Sequence, residues 1–184
     1  EKLFRIYERH LVQDRLREGF GENGADVDGF ISFSLSVQNR RKSRVGHAFE
    51  LYLSEMFTVH GLRFEQGGGK GFTTENNSKP DFIFPDFSSY HNSEFPAQQL
   101  HMLGAKTTCK DRWRQVLSEA NKIPLKHLIT LEAAISERQT SEMQSNRLQL
   151  VIPTAIHSTY TPHQKEWLLT IGNFIELMKS TQPE

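Results

Sequence analysis

Short apolar segments alternate with helix-forming segments along most of this chain, and this alternation restricts the folds that it can adopt. Apolar runs typical of buried strands occur at residues 81–84, 99–107, 126–131 and 148–153. Apolar side chains at helical spacing occur at residues 1–18, 36–60, 111–122 and 133–143. They also occur in a last helix, for which Thr161 is the predicted cap and Pro162 the first helical position. This order predicts an α/β domain in which a central mixed β-sheet is flanked by helices.

The first two predicted helices are amphipathic, and we expect each of them to bury one face. The face of the first helix consists of Leu3, Ile6, Tyr7, His10, Leu11 and Leu16. The stripe of the second helix consists of Val45, Phe49, Leu51, Tyr52, Leu53, Met56 and Phe57. A glycine-rich break at residues 19–29 separates the two helices, and Gly61 is predicted to cap the second one before a loop at residues 62–79.

Size and composition fit one domain and exclude several kinds of protein. The 184 residues, 1–184, are expected to form a single domain. Glu1 and the residues after it resemble no signal peptide, so we expect the sequence to be a piece of a longer chain. There is no apolar run of the roughly 18 residues that a membrane helix needs, which excludes a membrane span. The single cysteine, Cys109, excludes an internal disulfide and favours a reducing compartment.

The charged residues are balanced in number but unevenly distributed. The 22 Lys and Arg residues match the 22 Asp and Glu residues, so the formal net charge is zero. Basic residues are concentrated at positions 40–44 and 106–114. Neutrality therefore excludes a uniformly basic surface, but it permits a localised basic cleft that binds DNA.

An acidic residue and a lysine lie at the ends of two predicted neighbouring strands. Asp81 begins one strand and Lys106 lies near the end of the next, so the two side chains can converge at one edge of the sheet. Asp81 offers oxygen ligands to a divalent metal, while Lys106 can orient an attacking water and stabilise charge that develops on phosphorus. Ordinary roles remain open, because Asp81 would also suit a turn and Lys106 a strand end.

One carboxylate rarely holds magnesium well, so a second acidic residue is expected nearby. In sites of this kind the usual position is two residues before the lysine, and that position is Gly104 in this chain. Glu119, on the predicted helix at residues 111–122, offers a substitute.

These residues resemble a known nuclease motif. The pattern Pro80-Asp81, Lys106 and Glu119 resembles the PD-(D/E)XK motif in the variant whose second acid lies on the next helix. The segment from Lys106 to Trp113 resembles the recognition segment of restriction endonucleases that read CC and GG on either side of a central base pair. Over essentially its whole length the chain is similar to the catalytic C-terminal domains of EcoRII-type restriction endonucleases.

The resemblance implies a role for each matching residue. Asp81 corresponds to the metal-binding aspartate, Lys106 to the catalytic lysine, and Glu119 to the displaced acid that shares the metal. Glu50, on the preceding helix, corresponds to a helical glutamate that completes such sites. Because Gly104 departs from the commoner motif, the second metal ligand stays open between Glu119 and Glu50.

Two basic segments are candidates for contact with DNA. By the resemblance, Lys110, Asp111 and Arg112 face the base edges, where arginine or lysine donates to guanine and aspartate accepts from cytosine. The cluster of Arg40, Arg41, Lys42 and Arg44 is expected to contact phosphates.

The resemblance also implies a complete activity. It implies a Mg²⁺-dependent homodimer that cuts double-stranded DNA at CCWGG before the first cytosine, leaves 5′ overhangs and flips the central base pair. It further implies an N-terminal effector domain in the full-length chain and a bacterial cytoplasmic location.

Two alternatives remain open. Tyr90, together with Arg44, could act as the nucleophile of a recombinase or topoisomerase, forming a covalent adduct without metal. The chain could instead be a non-catalytic DNA-binding domain on the same fold.

Overall fold

The computed structural model describes residues 2–69, 71–110 and 112–182. The chain divides into two compact units, of which one extends to His47 and the other starts at Ala48. The second unit contains the whole β-sheet. None of the helices in the described ranges is long and apolar enough to cross a membrane.

Two long helices begin the chain. Helix α1 spans Lys2–Glu18, and helix α2 spans Val27–Val59. Helix α2 begins well before the predicted start at residue 36. The reason is a cap that the periodicity did not reveal, in which the Asp26 carboxylate accepts a hydrogen bond from the Gly29 N–H at 2.9 Å.

The prediction of a buried apolar face on α1 is wrong. Leu3, Ile6 and Tyr7 are 82%, 67% and 61% exposed. The buried side chain of this helix is Glu8, whose carboxylate accepts hydrogen bonds from Arg41 at 2.6 Å and from Arg44 at 2.9 Å. The hydrogen bond from Arg41, with that from Arg44, lowers the pKa of Glu8. Helical spacing shows which side chains share a face, but it does not show whether another segment covers that face.

The predicted stripe of α2 is buried only in its later part. Leu53 and Phe57 are buried, whereas Val45, Leu51 and Tyr52 are exposed. The predicted cap is confirmed, because Gly61 has a positive φ of 73° and the Leu62 N–H donates to the Phe57 carbonyl at 3.0 Å.

A five-stranded mixed sheet lies at the centre of the second unit and confirms the predicted fold class. Its strands are β1 (Glu65–Gln66), β2 (Phe82–Phe84), β3 (His101–Lys106), β4 (Lys126–Thr130) and β5 (Leu148–Val151), in that spatial order. The pairs β1–β2 and β2–β3 are antiparallel, while β3–β4 and β4–β5 are parallel. Strand β1 was not predicted, since it falls in the expected loop at residues 62–79.

The remaining helices are α3 (Phe87–His91), α4 (Trp113–Leu117), α5 (Glu137–Ser145), α6 (Pro162–Trp167) and α7 (Ile171–Thr181). The sequence did not predict α3, and the others are shorter than predicted. The predicted Thr161 cap is confirmed as a capping box. The single helix expected after it is divided in two, because the backbone of Leu169 bonds to Leu150 and Ile152 at the end of β5.

Apolar side chains pack in two clusters, which correspond to the two faces of the sheet because successive residues of a strand point to opposite sides. One cluster contains Ile83, Met102, Trp113, Val116, Leu128 and Leu150. The other contains Leu53, Phe57, Phe82, Phe84, Leu103 and Phe174. The strands β2 and β3 are thus fixed from both faces, and this rigidity positions the residues at their ends.

Candidate active site

Asp81 and Lys106 form a salt bridge at one edge of the sheet. The antiparallel register pairs Phe82 with Leu103, which places Asp81, just before β2, beside the end of β3. Asp81 Oδ2 accepts hydrogen bonds at 2.6 Å from Lys106 Nζ and at 2.6 Å from the Ala105 N–H. Each of the two charged side chains is only 15% exposed. The convergence that the sequence predicts is therefore present in the structure.

Glu119 lies in the turn after α4 rather than on a helix. The helix predicted at residues 111–122 ends at Leu117, and Ala120 adopts a positive φ of 48°. Burial, followed by the negative charge of Asp81, raises the pKa of Glu119 to about 7, and the charges of Lys106 and Lys126 oppose this rise. Glu119 therefore lies close enough to the Asp81–Lys106 pair for both charges to affect its ionisation.

Helix α4 leaves little room for an acidic side chain at the position two residues before the lysine. A Cβ atom on Gly104 would lie 3.0 Å from Val116 Cγ2 and 3.3 Å from Val116 Cγ1. The same valine belongs to the core cluster that contains Trp113 and Leu128. A carboxylate at this position would therefore have to displace packed core atoms.

The donor set fits a hard divalent cation. Within the described part of the chain, Glu119 Oε2 is buried without a hydrogen-bond partner, so one carboxylate oxygen remains available to a ligand. Asp81 and Glu119 offer only oxygen atoms, which suits Mg²⁺. No cluster of three or more His, Cys, Asp or Glu residues that could hold a metal occurs in the described ranges. An ion held by two carboxylates would keep several of its waters, as Mg²⁺ usually does.

Glu50 is half-buried on α2, close in sequence to Leu53, which packs in the core. The choice between Glu50 and Glu119 as second ligand is not decided by this placement. The ionisation of Glu119 is coupled to Asp81 in the structure.

Tyr90 is unsuited to act as a nucleophile, which argues against the strand-transfer alternative. It is 3% exposed, on α3, and its hydroxyl donates to Glu75 at 2.6 Å. Burial, followed by the hydrogen bond to Glu75, raises the pKa of Tyr90. A nucleophilic tyrosine needs access to phosphate and a hydroxyl that gives up its proton easily. Arg44, its suggested partner, donates to Glu8 instead.

The basic cluster on α2 is partly neutralised by Glu8. Arg40, Arg41 and Lys42 are exposed, as a phosphate-contacting surface requires. Arg41 is nevertheless bound to Glu8, and Arg40 donates to Ser36 Oγ at 3.2 Å.

The predicted recognition segment lies between β3 and α4. Lys110 and Arg112 are exposed, whereas Asp111 lies outside the described residues. The Glu132 carboxylate holds the start of this segment, because Oε2 accepts from the N–H of Cys109 and, at 2.9 Å, from the N–H of Lys110.

Glu132 was not singled out from the sequence, although a signal existed. It lies two residues after the end of β4, and the carboxyl ends of the parallel strands β3 and β4 lie at the same edge of the sheet.

Comparisons with known proteins agree with this geometry. The protein family described as EcoRII C terminal matches residues 4–175. The chain belongs to this family. It is 46% identical over 173 residues to the type II restriction enzyme EcoRII of Escherichia coli, an alignment that covers 94% of this chain and 41% of that enzyme. It is 24% identical over 149 residues to the type II restriction enzyme SsoII of Shigella sonnei, covering 78% of this chain and 48% of the relative. The chain thus spans less than half the length of these relatives.

Two solved structures share the fold of this EcoRII-type domain. The complex of the restriction endonuclease PspGI with substrate DNA has a TM-score of 0.71 at 16% identity, covering 97% of this chain and 76% of that one. Metal-depleted Ecl18kI in complex with uncleaved, modified DNA has a TM-score of 0.68 at 22% identity, covering 81% and 49%. These similarities confirm the restriction-endonuclease-like fold that the motif predicts.

Proposed function

We propose that this chain is the catalytic domain of a type II restriction endonuclease that hydrolyses both strands of DNA. The observation that carries the proposal is the partly buried Asp81–Lys106 salt bridge, with the Glu119 carboxylate electrostatically coupled to it. Membership of the EcoRII C-terminal family supports the same activity.

The side chains of the site have distinct tasks in this hydrolysis. When bound, a divalent cation, which we propose to be Mg²⁺, supplies positive charge to the phosphate and acidifies water. Asp81 and Glu119 would hold that ion. Lys106 holds the attacking water in line with the phosphorus and stabilises the negative charge of the transition state. The hydrogen bonds from Ala105 and Lys106 to Asp81 keep the carboxylate and the ammonium group in fixed relative positions.

For the DNA target we propose the sequence CCWGG, cut before the first cytosine of each strand to leave 5′ overhangs, with the central base pair flipped out. The exposed side chains of Lys110 and Arg112 support readout of guanine edges, since both donate hydrogen bonds. The 46% identity to EcoRII supports the same target. We assign Asp111 to the same readout, and Arg40, Arg41 and Lys42 to phosphate contacts.

We further propose that the domain acts as a homodimer in the bacterial cytoplasm, joined in its full-length chain to an N-terminal effector domain. A nearly palindromic target needs two equivalent active sites. Many large apolar side chains of the first unit are exposed, which is typical of an interaction surface. They include Leu3, Phe4, Ile6, Tyr7, Phe30, Ile31 and Leu35. Sedimentation analysis should give the mass of two chains. The mass of one chain at micromolar protein concentration would contradict the proposed homodimer.

Digestion of two matched duplexes tests the proposed reaction. One duplex carries CCWGG, and the other carries CCSGG with the same flanking sequence, where S is G or C. We expect Mg²⁺ to support cleavage of the first duplex alone, EDTA to stop it, and denaturing gels to show no protein–DNA adduct. Cleavage in EDTA with an adduct would favour the Tyr90 alternative. Binding without cleavage in Mg²⁺ would favour a non-catalytic domain.

A further inference from the structure

Three successive backbone N–H groups directly after Glu119 are bound by side chains from elsewhere in the second unit. Ala120 N–H donates to Thr74 Oγ1 at 3.2 Å, and Asn121 N–H donates to Glu75 Oε2 at 3.1 Å. Lys122 N–H donates to the Tyr90 hydroxyl at 3.3 Å. Backbone groups in a turn are commonly satisfied by water or by nearby backbone, so three side-chain acceptors in a row form an unusual anchor.

The three acceptors are themselves fixed. The Tyr90 hydroxyl donates to both carboxylate oxygens of Glu75 at 2.6 Å, and the Lys122 ammonium donates to the Tyr90 carbonyl at 3.1 Å. Thr74 and Tyr90 are buried, at 7% and 3% exposure. The Thr74 N–H donates to the Ser78 carbonyl at 2.9 Å, which closes the turn that carries Thr74 and Glu75.

The turn that this network holds has a conformation that an L-amino acid adopts reluctantly. Ala120 has a φ of 48°, in the left-handed region, and it is fully buried. Glu119 immediately precedes it and donates its N–H to the Val116 carbonyl at 3.2 Å, and the turn closes with a hydrogen bond from the Ile123 N–H to the Ala120 carbonyl at 2.9 Å. Without an external anchor, a glutamate in such a turn would sample many positions and lose the fixed geometry that a metal site needs.

We propose that Thr74, Glu75 and Tyr90 are positioning residues that hold the turn at residues 119–122 so that the Glu119 carboxylate faces Asp81. They contact neither the metal nor the DNA in this account. The inference rests on the proposed function, in which Glu119 is the second metal ligand, and it explains how a ligand outside the usual motif position is kept in place.

A set of threonine variants separates positioning from general stability. Thr74→Val removes the acceptor of the Ala120 N–H while preserving shape, and Thr74→Ser keeps the hydroxyl. Thr140→Val is the matched control, because Thr140 is also buried and its hydroxyl accepts from Gln164 at 3.0 Å, in a contact between α5 and α6. Tyr90→Phe provides a second, independent removal of an acceptor.

The variants should differ in their dependence on magnesium. We expect Thr74→Val and Tyr90→Phe to raise the Mg²⁺ concentration for half-maximal cleavage about 10-fold, with KM for DNA unchanged. Thr74→Ser and Thr140→Val should match the wild type in this property. Without metal or DNA, hydrogen exchange at the amides of Ala120, Asn121 and Lys122 should accelerate in Thr74→Val but not in Thr140→Val.

Two results would overturn the proposal. The first is a Thr74→Val variant with wild-type magnesium dependence and wild-type exchange at the turn. The second is a loss of cleavage that is the same at every Mg²⁺ concentration, which would indicate general damage. Glu119→Gln distinguishes failure of the proposed function, because wild-type magnesium dependence in that variant would mean that Glu119 is not a ligand at all.

Discussion

Val116 lies directly over Gly104, so that a Cβ atom added to the glycine would come within 3.0 Å of Val116 Cγ2. Position 104 is where the commoner nuclease motif carries its second acid, and in this chain the helix α4 packs against the strand at that point. Glu119, which we propose takes the place of this acid, lies beyond the end of the same helix. The close approach of α4 to Gly104 is consistent with that proposal, because it leaves little room for an acid at position 104.

The contact between these two residues predicts a coupled effect on stability. Gly104→Ala should reduce the free energy of unfolding by about 1–3 kcal/mol, because the new methyl group overpacks the core. Val116→Ala alone should also destabilise the protein, since it leaves a cavity. In the double variant the alanine methyl group has room, so we expect the two losses to be less than additive in denaturant unfolding. Strict additivity would mean that the two side chains do not compete for the same space.

Glu119 should make stability depend on pH in the absence of metal. Its pKa rises from an ordinary value of 4.5 to about 7 through burial and then the charge of Asp81, so the folded chain binds the proton more tightly than the unfolded chain. Ionisation therefore lowers the free energy of unfolding as pH increases from about 4.5 to about 7, and no further change from this group follows above that range. Because glutamine does not ionise, the free energy of unfolding of Glu119→Gln should rise relative to that of the wild type by on the order of 2–3 kcal/mol between these two pH values.

Chemical denaturation in EDTA at a series of pH values measures this difference. Mg²⁺ should reduce it, because the cation favours the ionised carboxylate. The charged neighbours of Glu119 are Asp81, Lys106 and Lys126. If the free energies of unfolding of Glu119→Gln and the wild type differ by the same amount at every pH from 4.5 to 7.5, Glu119 does not have the environment described here.

Glu132 should control the recognition segment through the backbone. Glu132→Ala frees the N–H groups of Cys109 and Lys110, so the segment loses its fixed conformation. Loss of these hydrogen bonds to a charged acceptor should weaken binding to CCWGG about 10-fold. Fluorescence anisotropy in Ca²⁺ measures the Kd, and Glu176→Ala, which removes an exposed glutamate paired with Lys179, is the control. Equal Kd values for the two variants would exclude this role.

The sequence was sufficient to predict four of the five strands and the convergence of Asp81 with Lys106. Strands β2 to β5 are short buried runs, and their apolar residues identify them without tertiary information. Asp81 and Lys106 lie at the ends of two such strands, so their convergence follows from the pairing of β2 with β3.

The position of Glu119 depends on contacts between segments that are distant in sequence. The end of α4 at Leu117, the turn at Ala120 and its bonds to Thr74 and Glu75 are set by tertiary packing, which periodicity does not report. The same limit explains α1, where apolar spacing at Leu3 and Ile6 predicted a buried face that the structure leaves exposed.

Single-turnover cleavage of a CCWGG duplex in Mg²⁺ measures whether Asp81 and Lys106 perform the proposed metal-dependent hydrolysis. We expect Asp81→Asn and Lys106→Gln each to reduce the cleavage rate by at least about 1,000-fold, while the Kd for the same duplex in Ca²⁺ stays within about 10-fold of the wild type. Wild-type cleavage rates in both variants would contradict the account.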